Sequence, residues 1–199
     1  MQRVALARAL AADPGILLLD EPFSGLDEKL RMEMAYMVKK LHEERKITTI
    51  LVTHDKREAL QMSDRIAFMD TGRVLQCATP KDIYYHPSDR IVAEYFGKVN
   101  YIKGKAKNKY FESEFYQGPL DIEDGFHEVL VRPSSVKLRT GERYQVQKIV
   151  FMGELAEVYI CTSQGELVSQ MMSAELEILK ISQGSRVDVD IEEKDIIQI

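Results

Sequence analysis

The stretch Ile16-Leu17-Leu18-Leu19-Asp20-Glu21-Pro22-Phe23-Ser24-Gly25-Leu26-Asp27 decides how this chain is read. Four apolar residues run without interruption into two adjacent carboxylates, and Pro22 ends the run. Such a run suits a strand of a parallel sheet, apolar on both faces because helices cover both. Acids at the tip of such a strand stand where α/β sheets hold their ligands, beyond the carboxyl ends of the strands. A buried strand that merely surfaces at Asp20-Glu21-Pro22 and turns has the same pattern, so the stretch alone leaves two readings even. The flanking chain separates them.

Downstream, Asp27 is placed to cap a helix that reaches about Arg45, with Glu28 in the first turn where the helix dipole favours an acid. Leu30, Met34, Met37, Val38 and Leu41 form its apolar stripe at helical spacing, which is ordinary core packing. Ile47–Thr53 is β-branched and apolar, a second buried strand ending at His54-Asp55. Lys56–Met62 predicts a short helix and Arg65–Met69 a third strand, which Asp70-Thr71-Gly72 turns into Arg73–Cys77 as a hairpin. The order strand, helix, strand, helix, strand is that of a parallel α/β sheet. Pro80–Tyr85 and Ser88–Phe96 read as two short helices. Upstream, Met1–Ala12 is rich in helix formers and is stopped by Asp13-Pro14-Gly15. A helix at residue 1, with no cap and no preceding strand, reads as the middle of a larger domain.

After Gly97 the character changes to short strands separated by Gly, Pro, Asn and Ser turns. Arg186–Glu192 alternates, with Val187, Val189 and Ile191 on one side, and Val146–Phe151, Glu154–Thr162 and Glu166–Met171 are similar. Many short strands predict a small barrel. The expected organisation is thus α/β over residues 1–97 and all-β over 98–199.

The 199 residues suffice for one large or two small domains, and 45% apolar with 30% charged residues is the balance of an ordinary globular protein. A net charge of −5 argues against a nucleic-acid partner, which calls for a basic face. Cys77 and Cys161 lie far apart without metal-ligand spacing, so both are expected as free thiols in a reducing compartment. No apolar run approaches the length of a membrane span and no signal peptide is recognisable, so a soluble protein able to dock on a membrane partner is expected.

The strand-end acids allow a definite chemistry. A carboxylate at this place can hold Mg²⁺ through water while the metal bridges nucleotide phosphates, and the next carboxylate can polarise an attacking water. Asp20 fits the first role and Glu21 the second. His54, at the tip of the next strand, can hydrogen-bond a γ-phosphate and stabilise developing charge. A lone histidine is more often structural; its place one βα unit after Asp20-Glu21 favours the functional role.

These residues together are similar to the C-terminal part of the ATP-binding subunits of ABC transporters. Ile16–Glu21 resembles the Walker B strand with its catalytic glutamate, Ser24-Gly25-Leu26-Asp27 the D-loop, and His54 the switch histidine. Met1–Leu10 resembles the helix after the LSGGQ signature. Ala78-Thr79-Pro80, Ile83-Tyr84, Pro87 and Val92-Ala93-Glu94-Tyr95-Phe96-Gly97 resemble the importer group for ferric iron, polyamines, sulfate and maltose. Val131-Arg132-Pro133, Val136-Lys137-Leu138 and Phe151-Met152-Gly153-Glu154 resemble segments of its OB-like TOBE barrel, a regulatory extension outside the chemistry.

The resemblance implies a partial parallel ABC-ATPase sheet followed by an OB-like barrel, with ATP and Mg²⁺ as cofactors. It assigns Glu21 and His54 to catalysis, Asp20 to the metal, and Ser24, Gly25 and Asp27 to nucleotide binding at the contact with a second ATPase subunit. It implies a homodimer, permease partners, and a cytoplasmic place at the inner face of the membrane.

The family's phosphate loop, Gly-x-x-x-x-Gly-Lys-Ser/Thr, does not occur in the 199 residues, nor do its adenine-stacking aromatic, its Q-loop glutamine or LSGGQ itself. The reading is therefore of an incomplete ATPase subunit that neither binds ATP tightly nor hydrolyses it alone. It leaves part of the Ile16–Leu19 surface exposed or covered by a partner. A non-enzymatic regulatory or ligand-binding barrel on an ABC-derived remnant is the alternative. Lys56-Arg57 reads as a solvated helix start, and Lys103, Lys105, Lys107 and Lys109 as an edge strand guarded by lysines.

Overall fold

The structure is a computed structural model that describes residues 14–199, so the helix expected over Met1–Ala12 lies outside the described residues. Strand β1 (Ile16–Asp20) pairs in parallel with β2 (Thr48–Val52), Leu17 opposite Thr49 and Asp20 opposite Val52. Helix α1 (Glu28–Arg45) connects them. Asp27 caps it, its carboxylate accepting the Leu30 N–H at 3.0 Å, and Lys46 ends it in the left-handed region at φ 53°. Met34 and Val38 of the stripe are buried with Leu17, Phe23 and Ile47, and Leu19, Leu30 and Leu51 pack against them.

The two-face burial suggested by the apolar run does not hold for β1, and part of the Ile16–Leu19 surface is exposed, as expected for an incomplete sheet. Only the α1 side is covered: Ile16 and Leu18 are 61% and 70% exposed, and Ile50 and Val52 on the adjacent strand 53% and 56%. Helices that would cover the second face of a parallel sheet are not found among the described residues. Leu17→Ala is therefore expected to destabilise the first unit by about 2–4 kcal/mol, through lost burial and a cavity. Leu18→Thr, one residue on, should cost no more than about 0.5 kcal/mol. Urea unfolding distinguishes the two, and a comparable loss for both would mean that the outer face is covered.

Helix α2 (Lys56–Met62) follows β2, capped by Asp55, and leads to a hairpin of β3 (Ile66–Asp70) and β4 (Arg73–Ala78). The expected third strand thus exists, but it pairs antiparallel with β4 and forms its own two-stranded sheet. The short helix α3 covers Pro80–Tyr85.

The chain divides into two compact units between Tyr84 and Tyr85. The second begins with helix α4 (Arg90–Phe96), capped by Asp89, and continues in two antiparallel sheets. One holds, in spatial order, β13 (Ile196–Ile197), β8 (Gly125–Val131), β5 (Asn100–Lys107), β6 (Tyr110–Ser113) and β7 (Gln117–Pro119). The other holds β11 (Gly165–Met172), β10 (Leu155–Thr162), β9 (Lys137–Phe151) and β12 (Arg186–Asp190). Ile102, Ala106 and Phe111 of the first and Val146, Val158 and Ile160 of the second share one buried core, closed by Leu176 of helix α5 (Ser173–Leu179). Its strands are the antiparallel, barrel-like half expected after the α/β half, but the unit starts at Tyr85 rather than at the expected residue 98, because α4 packs with β8 and β13.

Two sequence readings are corrected here. Lys103, Lys105 and Lys107 lie on β5, which is flanked by β6 and β8 and is no edge; their side chains occupy its solvent face. Lys103 Nζ stands 4.0 Å from Glu128, and Lys105 Nζ lies over the Phe126 ring. Strand β9 starts nine residues before the expected Val146, because the chain bulges at Gly141–Tyr144 without leaving the sheet. Asp188 on β12 holds that bulge, accepting the N–H groups of Glu142 and Arg143, both at 3.2 Å. Cys77 and Cys161 are free and exposed.

Candidate functional site

The parallel pair β1 and β2 sends two loops out at its carboxyl end, and the predicted residues stand on them. Asp20, the last residue of β1, is exposed. Glu21 continues the ladder by donating its N–H to Val52 O at 2.9 Å, then turns with φ 43°, in the left-handed region that side chains disfavour. Strain of this sort persists where neighbours hold it. Here the Glu21 carbonyl accepts the Ser24 N–H at 3.2 Å and its hydroxyl at 2.9 Å. Phe23, 1% exposed, anchors the turn in the core beneath.

The turn aims the Glu21 carboxylate at the tip of β2. Glu21 Oε1 and His54 Nδ1 lie 3.1 Å apart, so an imidazole protonated at Nδ1 donates to the carboxylate. The side chains are 49% and 76% exposed, which leaves the pair open to a ligand. Gly25, at φ 75°, supplies the left-handed step that lets the loop return to Asp27. Asp27 spends its carboxylate on the helix cap.

Two residues here escape a reading of the sequence. Phe23 hides in an apparently polar turn, and Arg31 on a charged helix surface. Arg31 Nη1 donates to Asp55 Oδ2 at 3.3 Å, and Nη2 to the Leu26 carbonyl at 3.3 Å. Behind Asp55, Glu58 is buried and accepts the Thr53 hydroxyl at 2.6 Å. A pairing such as Arg31 with Asp55, so distant along the chain, leaves no local signal.

Among the described residues no three His, Cys, Asp or Glu side chains gather where they could hold a metal ion. A lone strand-end carboxylate does suit Mg²⁺ that arrives with phosphates, since this ion keeps its waters and uses one or two carboxylates. Asp20 meets that requirement, and the described residues form no all-protein metal cage.

The chain is 41% identical over 179 residues to the spermidine/putrescine import ATP-binding protein PotA of Mesorhizobium japonicum, covering 83% of this chain and 49% of the relative. It is 38% identical over 197 residues to the sulfate/thiosulfate import ATP-binding protein CysA of Nocardia farcinica, covering 94% and 55%. Its homologues are the ATP-binding subunits of ABC importers. The chain spans about half the length of the curated relatives it matches. No family model matches it. A solved structure of the cytoplasmic molybdate-binding protein ModG aligns at a TM-score of 0.40 and 18% identity, over 49% of this chain and 93% of that one, too slight a likeness to bear on either fold or ligand.

Proposed function

We propose that this chain provides the metal-holding and hydrolytic strand ends of an ATP-driven energy-coupling subunit. The observation that carries the reading is the Glu21–His54 approach at the tips of two adjacent parallel strands. Asp20 would hold the Mg²⁺ that comes with ATP, which would supply positive charge beside the phosphates. Glu21 orients and polarises the attacking water, and His54 steadies both that carboxylate and the γ-phosphate. Ser24, Gly25 and Asp27 form the loop that meets a second ATPase subunit, and the pair drives a permease from the cytoplasmic face of the membrane. The first unit carries this chemistry, and the strands of the second form a TOBE-type regulatory barrel. The relatives carry names for different cargoes, so identity at this level leaves the cargo open.

The amides and lysine of a phosphate loop are not among the 199 residues. Alone, the chain is expected to bind Mg-ATP no more tightly than about 1 mM by calorimetry, a scale of about −4 kcal/mol. Micromolar affinity would overturn this. Fused behind the part of the Mesorhizobium relative that precedes the matched region, the chain is expected to hydrolyse ATP, and Glu21→Gln to slow that by about 10²–10⁴. A chimera whose hydrolysis is unaffected by Glu21→Gln would refute the assignment of Glu21.

A further inference from the structure

Glu21 and His54 sit on separate loops, both exposed, and an exposed pair of this sort contributes little by itself to holding two loops together. A contact beneath them ties one loop to the other. We infer that Arg31 is the positioning residue of this site, locking the Glu21–Asp27 loop to the His54 turn; the inference rests on the hydrolytic reading only for its functional meaning.

Arg31 stands in the first turn of α1, where its own N–H closes the first helical bond to Asp27 O at 2.9 Å. From there its guanidinium fork faces two ways. Nη2 takes the Leu26 carbonyl, the last loop carbonyl before the capping residue, and Nη1 takes Asp55, the residue after His54. Nε lies 3.9 Å from Glu58 Oε1. A planar fork with fixed donor directions can hold a carbonyl and a carboxylate at once, which a flexible ammonium cannot.

The acceptor side is rigid in turn. Asp55 Oδ1 is committed to the cap of α2, accepting the Arg57 and Glu58 N–H groups at 2.8 and 3.4 Å, so Oδ2 alone is offered to Arg31. Thr53 accepts the Asp55 N–H at 3.0 Å and donates to Glu58. The residues on either side of His54 are therefore fixed from behind, and Arg31 ties that fixed turn to the other loop. A second ion pair between the two helix starts, Arg57–Glu28 at 3.7 Å, has side chains 77% and 81% exposed and holds little.

The test reads the His54 ring directly. In the 199-residue chain labelled with ¹⁵N-histidine, at a pH where imidazole is neutral, the tautomer follows the hydrogen bond made by the other ring nitrogen. Glu21→Gln should shift the His54 ring signals, and Arg31→Ala should shift them in the same direction by at least about half as much, since the fork fixes the pair's geometry. Arg31→Lys should restore part of the wild-type signal. Asp55→Asn, which keeps the helix cap but removes the charge, gives an independent variant that should move them the same way. Cross-strand signals between Leu18 and Ile50 report that each variant stays folded. His54 signals unchanged in folded Arg31→Ala and Asp55→Asn overturn the inference. Signals unchanged in Glu21→Gln overturn it too, because the pair it positions would not exist in solution. No nucleotide is involved, so the outcome stands apart from the ATPase test.

Discussion

Arg132→Met is expected to destabilise the second unit by about 2–4 kcal/mol, the cost of leaving buried carbonyls without a charged donor. Arg132 is 1% exposed, and its side chain is the largest fully enclosed one among the described residues. Nη1 donates to the carbonyls of Ala93, Gly97 and Lys98 at 2.8, 3.1 and 3.3 Å. Ala93 O lies in the last turn of α4 and also accepts the Gly97 N–H at 3.3 Å, Gly97 and Lys98 follow the helix, and together these carbonyls form the negative end of the helix dipole. A guanidinium buried there is compensated by partial charges and hydrogen bonds together. Methionine fills similar volume but removes this donor from all three carbonyls, of which Ala93 O keeps the Gly97 N–H, at about 1–3 kcal/mol for each left unpaired where water cannot reach.

The arrangement also explains why α4 belongs with the strands that follow it. Ala93 of α4 is buried against Leu130 of β8 and Ile197 of β13, and Arg132 follows β8 directly. Losing Arg132 should therefore free α4 as well as weaken the sheet. Chemical unfolding of the second unit measures the cost, and hydrogen exchange of the Ala93 and Gly97 amides should accelerate before the β5–β8 ladder opens. Arg132→Lys should be milder than Arg132→Met, because an ammonium can still serve the carbonyls from a single point. A loss below about 1 kcal/mol for Arg132→Met would mean that water reaches this helix end.

What the sequence could and could not say follows the range of the forces involved. The helix from Asp27, its stripe of Met34 and Val38, the strand ending at Asp20-Glu21 and the helix Lys56–Met62 are written in caps and periodicity, which act within a few residues. The order of Glu21 and His54 along the chain is likewise readable, and parallel pairing of β1 with β2 brings the two together. The rest depends on partners distant in sequence. Leu18 sits in the same apolar run as Leu17, yet one is open and the other closed, because among the described residues only α1 covers the run. The lysines of β5 alternate as an edge strand's would, and only the arrival of β6 and β8 makes that strand central. Lys98 pairs at 2.6 Å with Glu157, a carboxylate 6% exposed and held below the usual carboxylate range by that hydrogen bond; no local pattern announces it.

Gly104→Ala should cost about 3 kcal/mol, at the upper end of what overpacking does to a well-filled core. Gly104 lies on β5 between Ser113 of β6 and His127 of β8, and the Phe111 ring, fully buried, folds diagonally over it. A Cβ at Gly104 would overlap that ring and lie 2.5 Å from the Glu112 carbonyl oxygen. The ring could move; the carbonyl belongs to the ladder and could move only with β6. This distinction sets the outcome of a double-mutant cycle. Phe111→Leu alone should cost about 1–2 kcal/mol through lost apolar contact. In its presence Gly104→Ala should become cheaper by about 1 kcal/mol, since the ring overlap is gone, while the strain against Glu112 stays. Strict additivity would place the whole penalty on the backbone, and full rescue would place it on the ring. A cost for Gly104→Ala under about 1 kcal/mol would show that β5 and β6 separate freely at this point, and the tight cover of Phe111 over glycine would then not be what holds this corner of the core closed.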